Sequence, residues 1–323
     1  MKLSDTIFES INNDLNQLNT NLHKMVIAEN PVLYAAAEHL FNAKGKRIRP
    51  TLIFLIAQTT TQDINISPQH RRLAEITEII HTASLLHDDV IDECNTRRGL
   101  ETTHNKFSTK IAILAGDFLF AQSSWYLANL NNVEVVKTIS KVITDFAEGE
   151  VRQGLTNFDT NISLESYIDK SFYKTASLLA ASCRASIMLS EKNTYEQNMF
   201  YLYGKHLGLA FQIIDDLLDI TGSDLQLGKP AGSDLKNGNL TAPLLFAIED
   251  NPYIYTFIQR EFQYKNDIDQ TVNMIKNTQG IKKAKDLAQE HIQLAVEAIK
   301  SLYTYDKITK LISISDYILN RIK

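Results

Sequence analysis

Cysteine, glycine, proline and long apolar runs are all scarce in this sequence, and each shortage removes a class of protein. Only Cys94 and Cys183 occur among 323 residues. They lie far apart without the spacing of a zinc site, so a reduced, cytoplasmic protein without metal–thiolate chemistry is expected. Glycine, with 12 residues, falls to roughly half of average usage; with 6 prolines the chain has few helix breakers. No uncharged apolar stretch approaches the roughly 18 residues of a membrane span, which leaves at most a peripheral membrane contact. A basic tract is missing, and the net charge of −5 argues against nucleic acid as the partner. The first ten residues carry an acid early and no apolar core, so they do not read as a secretory signal.

What is present is helical periodicity over most of the chain. Apolar residues make up 44% of it and recur at three- and four-residue spacing. Between 73 and 92, Ile76, Ile80 and Ala83 share one face, while Thr77, His81, Ser84, Asp88 and Asp92 share another. Between 202 and 220, Leu207, Ala210, Ile214 and Leu217 form the apolar stripe. Breaks fall at Asn30-Pro31, at a basic loop over 45–50, at Ser67-Pro68, at polar loops over 95–103 and 157–163, and in a glycine-rich segment over 221–239. No segment alternates as a strand would. The expectation is one all-α domain over 1–323, built from ten or more helices.

Two clusters carry the chemistry. In L-L-H-D-D-V-I-D, Asp88 and Asp92 stand four apart, so a helix places their carboxylates on one face, about a turn apart. Like charges there weaken a helix unless a cation lies between them, and an all-oxygen donor set selects a hard ion such as magnesium. A lone D-D-x-x-D is more often a solvated acidic face. F-Q-I-I-D-D-L-L-D, however, repeats the spacing at Asp215, Asp216 and Asp219, among Ile213, Ile214, Leu217 and Leu218. Two such pairs on half-buried helices suit several metal ions clamped around one diphosphate, where they neutralise a departing anion.

Basic residues complete a diphosphate site. G-K-R-I-R-P supplies Lys46, Arg47 and Arg49; the loop after the first cluster supplies Arg97 and Arg98. Arginine suits bidentate contacts to phosphate oxygens, and lysine serves as a point charge. Each of these alone is usually a surface charge. Lys229 lies in L-G-K-P-A-G-S-D, a loop whose glycines allow closure over a ligand but which lacks the Walker A spacing. His81 shares the acidic face of its helix; His87 is out of phase with Asp88 and is left aside. Hydrolytic and zinc signatures are missing.

This set of motifs resembles the trans-prenyl diphosphate synthases along nearly the whole chain. The likeness rests on G-K-R-I-R-P, L-L-H-D-D-V-I-D with R-R-G after it, G-E-V-R-Q-G at 149–154, Tyr173-Lys174-Thr175, F-Q-I-I-D-D-L-L-D and G-K-P-A-G-S-D-L. It implies a single helical bundle of the isoprenoid synthase type around a deep central cavity, usually dimeric, with both aspartate motifs at the cavity mouth. By that resemblance Asp88, Asp92 and Asp215 are magnesium ligands, supported by Asp89, Asp216 and Asp219. Lys46, Arg49, His81 and Arg98 would hold isopentenyl diphosphate; Arg97, Lys174, Thr175, Gln212 and Lys229 would hold the allylic diphosphate, with farnesyl diphosphate the expected primer. Catalytic weight falls on Asp88, Asp92, Asp215, Lys174 and Lys229.

In this family bulky aromatics just upstream of the first aspartate motif close the cavity. Here Ala83 and Ser84 are small, so a long product is expected, with heptaprenyl diphosphate for menaquinone side chains as the single choice. The chain most resembles the catalytic large subunit (component 2) of two-component heptaprenyl diphosphate synthases, which implies a heterodimer with a small non-catalytic subunit; homodimeric hexaprenyl or octaprenyl synthases share the same motifs. Two other readings compete. A class I terpene cyclase has no need of the isopentenyl site at Lys46, Arg49 and Arg98. A non-catalytic partner subunit is expected to have lost an aspartate motif, and both are intact.

Overall fold

Helices begin where the sequence offers a cap. Asn30 Oδ1 accepts from Val32 N at 2.9 Å and Leu33 N at 3.2 Å, and Pro31 opens the helix behind it. Ser67 does the same for His70 N ahead of Pro68. A proline in the first turn lacks only an N–H that the helix leaves unbonded anyway. The computed structural model describes residues 9–42, 45–61, 65–97, 99–222 and 232–322. Among these, the first helices are α1 (Asn12–Met25), α2 (Pro31–His39), α3 (Ile48–Thr60) and α4 (Pro68–Ile91). A short hairpin, β1 (Thr96–Arg97) and β2 (Leu100–Glu101), precedes α5 (Thr103–Lys106), α6 (Thr109–Ala128), α7 (Val133–Leu155) and α8 (Leu164–Ser171). A π-turn over Phe172–Ala176 leads into α9 (Ser177–Leu189) and α10 (Thr194–Thr221). The remainder is α11 (Ser233–Lys236), α12 (Ala242–Asp250), α13 (Tyr255–Gln259), α14 (Asp267–Lys276), α15 (Gly280–Lys300) and α16 (Tyr305–Leu319). The all-α expectation holds.

Three local readings change. The loop over 95–103 contains a two-residue antiparallel ladder, which Gly99 closes with a φ of +78°. Such a φ costs a glycine nothing. Helix α3 starts at Ile48, so Arg49 and Pro50 are helical instead of lying in the basic loop. Ser233–Lys236 forms a helical turn inside the stretch expected to be irregular.

The chain divides into two compact units. The first comprises Met1–Ile143, Leu178–Tyr201 and Ile299–Ile314. Its axis is α4, whose Leu73, Ile76, Ile80, Ala83 and Leu86 are at most 1% exposed. Each such large aliphatic side chain contributes about 1.5–3 kcal/mol by leaving water. At Gly116 of α6 a Cβ would lie 2.2 Å from His87 Nε2, so glycine is what lets His87 cross to α6 and donate to Ile113 O at 3.1 Å. Thr77 meets Ser182 at 3.2 Å, and His70 Nε2 donates to Ser186 O at 2.9 Å, tying α4 to α9. Helix α6 is long and apolar enough by composition to cross a membrane, and a third of it is buried. Its inner face packs on α4, while Ile113, Leu114 and Trp125 are 41%, 46% and 61% exposed.

The second unit comprises Thr144–Ser177, Leu202–Ala298 and Ser315–Lys323. Ile213, Ile214 and Leu217 of α10 pack with Tyr167 of α8 and with Ala284 and Ala288 of α15. The alanines are the small positions that allow close helix packing. Gly208 serves the same end: a Cβ there would meet Ala176 Cα at 2.6 Å.

Candidate functional site

Both aspartate triads occupy the C-terminal ends of the two longest helices among the described residues, α4 with 24 residues and α10 with 28. The C-terminus of a helix carries about half a negative charge, so acids there are in the wrong place for helix stability. Neither helix has a basic residue in its last turn to compensate. Each end therefore concentrates negative potential and calls for a cation.

In the first triad, Asp88 and Asp92 are half-buried, and Asp92 caps α4 by donating its N–H to Asp88 O at 2.8 Å. Asp89 turns inward and is 1% exposed. The hairpin returns Arg97 to it, with Nε donating to Asp89 Oδ1 at 2.6 Å. Burial pushes the Asp89 carboxyl up, and the Arg97 guanidinium pulls against that. Asp89 Oδ2 is buried without a hydrogen-bond partner among the described residues.

The second triad is organised differently. Asp215 is 38% exposed and pairs with Arg321 at 2.8 Å, whose guanidinium also stacks over Phe211 at 4.6 Å. Asp216 is 2% exposed and accepts from Tyr167 OH at 2.5 Å and Gln212 Nε2 at 2.7 Å. Burial, then the charge of Asp234, pushes its carboxyl up to about 8, against the pull of those two donors. Asp219 anchors the chain beyond α10: Ser233 Oγ donates to one of its oxygens at 2.8 Å and Asp234 N to the other at 3.1 Å.

The expected basic residues are only partly brought together. Lys46 is exposed and Arg49 half-buried in the first turn of α3. Arg47, between them, has a left-handed φ of 49° and turns inward to an ion pair with the buried Glu78. It also donates to Phe41 O at 3.2 Å and Asn19 Oδ1 at 3.3 Å. Arg47, Glu78, His81, Thr82, Leu85 and Arg97 line one narrow cleft with Leu40, so His81 and Arg97 meet there as two half-buried cationic or polar groups. Lys174 is held by Glu150 at 3.0 Å and Gln153 at 3.1 Å, both from G-E-V-R-Q-G. Thr175 Oγ1 donates to Gln212 Oε1 at 2.6 Å. Ala83 is fully buried and Ser84 half-buried, with Ser84 Oγ donating to His81 O at 2.9 Å. Arg98 and Lys229 lie outside the described residues.

Lys174 and Thr175 sit in the π-turn, where one extra residue is accommodated in the helix. Such turns recur at functional sites, and helical periodicity alone does not reveal them. Tyr167, Glu78 and Arg321 also escaped the sequence reading. Nothing near them in sequence marks them, because each acts on a partner at least 31 residues away.

Among the described residues, no three His, Cys, Asp or Glu side chains converge on one metal point. A hard divalent cation needs no such convergence, since it takes one or two carboxylates and fills its shell with water and phosphate oxygens. The all-oxygen donor sets, the unpartnered Asp89 Oδ2 and the helix ends all fit such an ion.

Comparison with known proteins agrees with this chemistry. The family model described as polyprenyl synthetase matches residues 30–275. A prenyl transferase of Porphyra purpurea is 56% identical over 322 residues, 100% of both chains. The chloroplastic solanesyl diphosphate synthase 2 of Arabidopsis thaliana is 50% identical over 301 residues, 92% of this chain and 72% of that protein. The crystal structure of heptaprenyl diphosphate synthase from Staphylococcus aureus superposes with a TM-score of 0.92 at 31% identity, covering 97% of this chain and 99% of that one. A polyprenyl synthase from Caulobacter crescentus CB15, complexed with calcium and isoprenyl diphosphate, gives a TM-score of 0.92 at 30% identity, covering 99% and 98%.

Proposed function

Since the chain belongs to the polyprenyl synthetase family, we propose that it elongates an allylic diphosphate, farnesyl diphosphate as primer, with successive isopentenyl diphosphates, releasing pyrophosphate at each step. The observation that carries this reading is the placement of both aspartate triads at helix C-termini whose last turns hold no basic residue. Asp88, Asp92 and Asp215 would hold magnesium, with Asp89, Asp216 and Asp219 buried behind them as supports. Bound there, the metal supplies charge neutralisation for the departing diphosphate. The calcium and isoprenyl diphosphate of the Caulobacter complex support a divalent ion in this role.

The chain's own side chains do the rest. Lys46, Arg49, His81 and Arg98 bind isopentenyl diphosphate, and Arg97, Lys174, Thr175, Gln212 and Lys229 bind the allylic diphosphate. Arginine forks fix the orientation of a diphosphate, and the lysines add charge where it develops. Apolar walls exclude water from the allylic cation. The double bond of isopentenyl diphosphate then attacks, and the released pyrophosphate is the nearest base for the proton lost.

Small Ala83 and Ser84 support a long product. The length is set here at nonaprenyl instead of the heptaprenyl expected from sequence, because a solanesyl synthase stands at 50% identity and the heptaprenyl synthase at 31%. The product would supply a quinone side chain. For a protein partner, the exposed Ile113, Leu114 and Trp125 of α6 support a second copy or a small non-catalytic subunit. Cys94 and Cys183 form no disulfide among the described residues, as expected of a reducing aqueous compartment, cytoplasm or the stroma of a plastid.

The test is incubation of the purified chain with farnesyl and isopentenyl diphosphates, with magnesium or with EDTA, followed by product sizing. A long polyprenyl diphosphate formed only with metal is expected. A cyclic hydrocarbon from farnesyl diphosphate alone would replace this reading with a cyclase, and a folded chain inactive in every arm would replace it with a non-catalytic subunit.

A further inference from the structure

Asp216 is set apart from its neighbours by what surrounds it. Asp89 and Asp215 each carry an arginine, Arg97 at 2.6 Å and Arg321 at 2.8 Å. Both oxygens of Asp216 instead accept from neutral groups, the Tyr167 hydroxyl at 2.5 Å and the Gln212 amide at 2.7 Å. Lys170, one turn along from Tyr167 and 6% exposed, gives its hydrogen bond to Asn239. A neutral donor orients a carboxylate without cancelling its charge; an arginine would do both.

The bracket is rigid on each side. Tyr167 is 1% exposed, and its ring is walled by Ile213, Ile214 and Leu217. Its helix is pinned at the start by Ser163, which accepts from Ser166 N at 3.1 Å. Gln212 cannot rotate its amide freely, because Thr175 donates to its oxygen at 2.6 Å. Asp216 is therefore a buried carboxyl held in one orientation, next in sequence to Asp215, which is 38% exposed.

We propose that Tyr167 is a positioning residue for the reaction, holding the Asp216 carboxyl in the orientation that supports metal binding at the second aspartate cluster; this rests on the metal-dependent reading above. Loss of the hydroxyl leaves the Asp216 carboxyl free to turn, and the cluster loses its preset geometry. The residue touches neither substrate nor metal and acts only through Asp216.

The experiment compares wild type, Tyr167→Phe and Asp216→Asn as full chains. Calorimetry measures binding of magnesium with inorganic pyrophosphate, and initial rates measure the KM for isopentenyl diphosphate. Tyr167→Phe is expected to weaken magnesium–pyrophosphate binding about tenfold, approaching Asp216→Asn, while the isopentenyl KM stays within about twofold. Binding equal to wild type in a folded Tyr167→Phe protein overturns the assignment. Should wild type itself bind no magnesium–pyrophosphate, it is the functional reading that fails. If Tyr167→Phe does not fold, fluorotyrosine at position 167 keeps the ring and hydroxyl while changing the acidity; an affinity unmoved by fluorination also overturns the proposal.

Discussion

Arg97→Leu is expected to make the folded protein progressively less stable as the pH rises. Asp89 is 1% exposed, and its Oδ1 takes a 2.6 Å bond from Arg97 while Oδ2 has no hydrogen-bond partner among the described residues. Removing one member of a buried pair costs about 3–5 kcal/mol, because the remaining charge is stranded. Arg97 keeps 27% of its side chain in solvent, which lowers the figure to about 2–4 kcal/mol at pH 8. The sign follows from the direction of the Asp89 shift, which burial already drives upward. Without the guanidinium it rises further, so the folded protein retains a proton that the unfolded chain has released above its ordinary value of 3.8. Stability is then fullest at low pH and is lost as pH climbs through the raised folded value. Thermal unfolding at pH 5 and pH 8 reads this directly, at about 2–4 °C per kcal/mol for a chain approaching this size. Arg97→Leu should fall several degrees further behind wild type at pH 8 than at pH 5. Asp89→Asn combined with Arg97→Leu should remove that extra pH dependence. A single variant that tracks wild type in parallel across both pH values would refute the buried-charge reasoning.

Two further outcomes are expected. Ala83→Phe inserts a ring at a fully buried position of α4, costing about 1–3 kcal/mol, and should shorten the polyprenyl product on sizing; an unchanged length would remove Ala83 from the cavity floor. His206 and His291 stack with their Nδ1 atoms 2.9 Å apart, and burial, aided for His206 by the charge of His291, pushes both down to about 4. Their folded values lie below the ordinary 6.5, so stability present above that value is lost as pH falls from 6.5 through 4. After allowance for their partial exposure, about 1–2 kcal/mol is at stake. His206→Gln should flatten the melting temperature over that range, and an undiminished slope would show that other groups set the acid limit.

Much of the architecture was legible because helices advertise themselves by period. The inward face of α4 at Ile76, Ile80 and Ala83 and the apolar stripe of α10 at Ile214 and Leu217 are buried as their spacing requires. The half-buried Asp88 and Asp92 also follow from helical phase, whereas the burial of Asp89, about 180° around the helix from Ile80, does not. What periodicity does not carry is the partner across a gap. Arg47 reads as one more basic residue until its left-handed backbone turns it onto Glu78. Asp219 repeats the spacing of Asp92 yet spends both oxygens on Ser233 and Asp234, partners 14 and 15 residues further along that helical period does not reveal. Lys174 was singled out by motif alone, and its restraint by Glu150 and Gln153 depends on a helix some 20 residues upstream.

The π-turn over Phe172–Ala176 has a consequence for how this site tolerates change. In an unbroken α-helix Tyr167 and Thr175, eight residues apart, would point about 80° away from each other. A bulge that absorbs one residue makes the interval behave as seven, and the two side chains realign to within about 20°. That is why both reach the same side of α10, one at Asp216 and the other at Gln212, a single turn apart. The phase of the pair thus depends on a count of residues more than on their chemistry. Deleting one residue between Tyr167 and Thr175 would iron the helix straight and still leave the pair about 20° apart, whereas eight residues of regular helix, with the bulge lost and no residue removed, would uncouple the two contacts even with every functional side chain present.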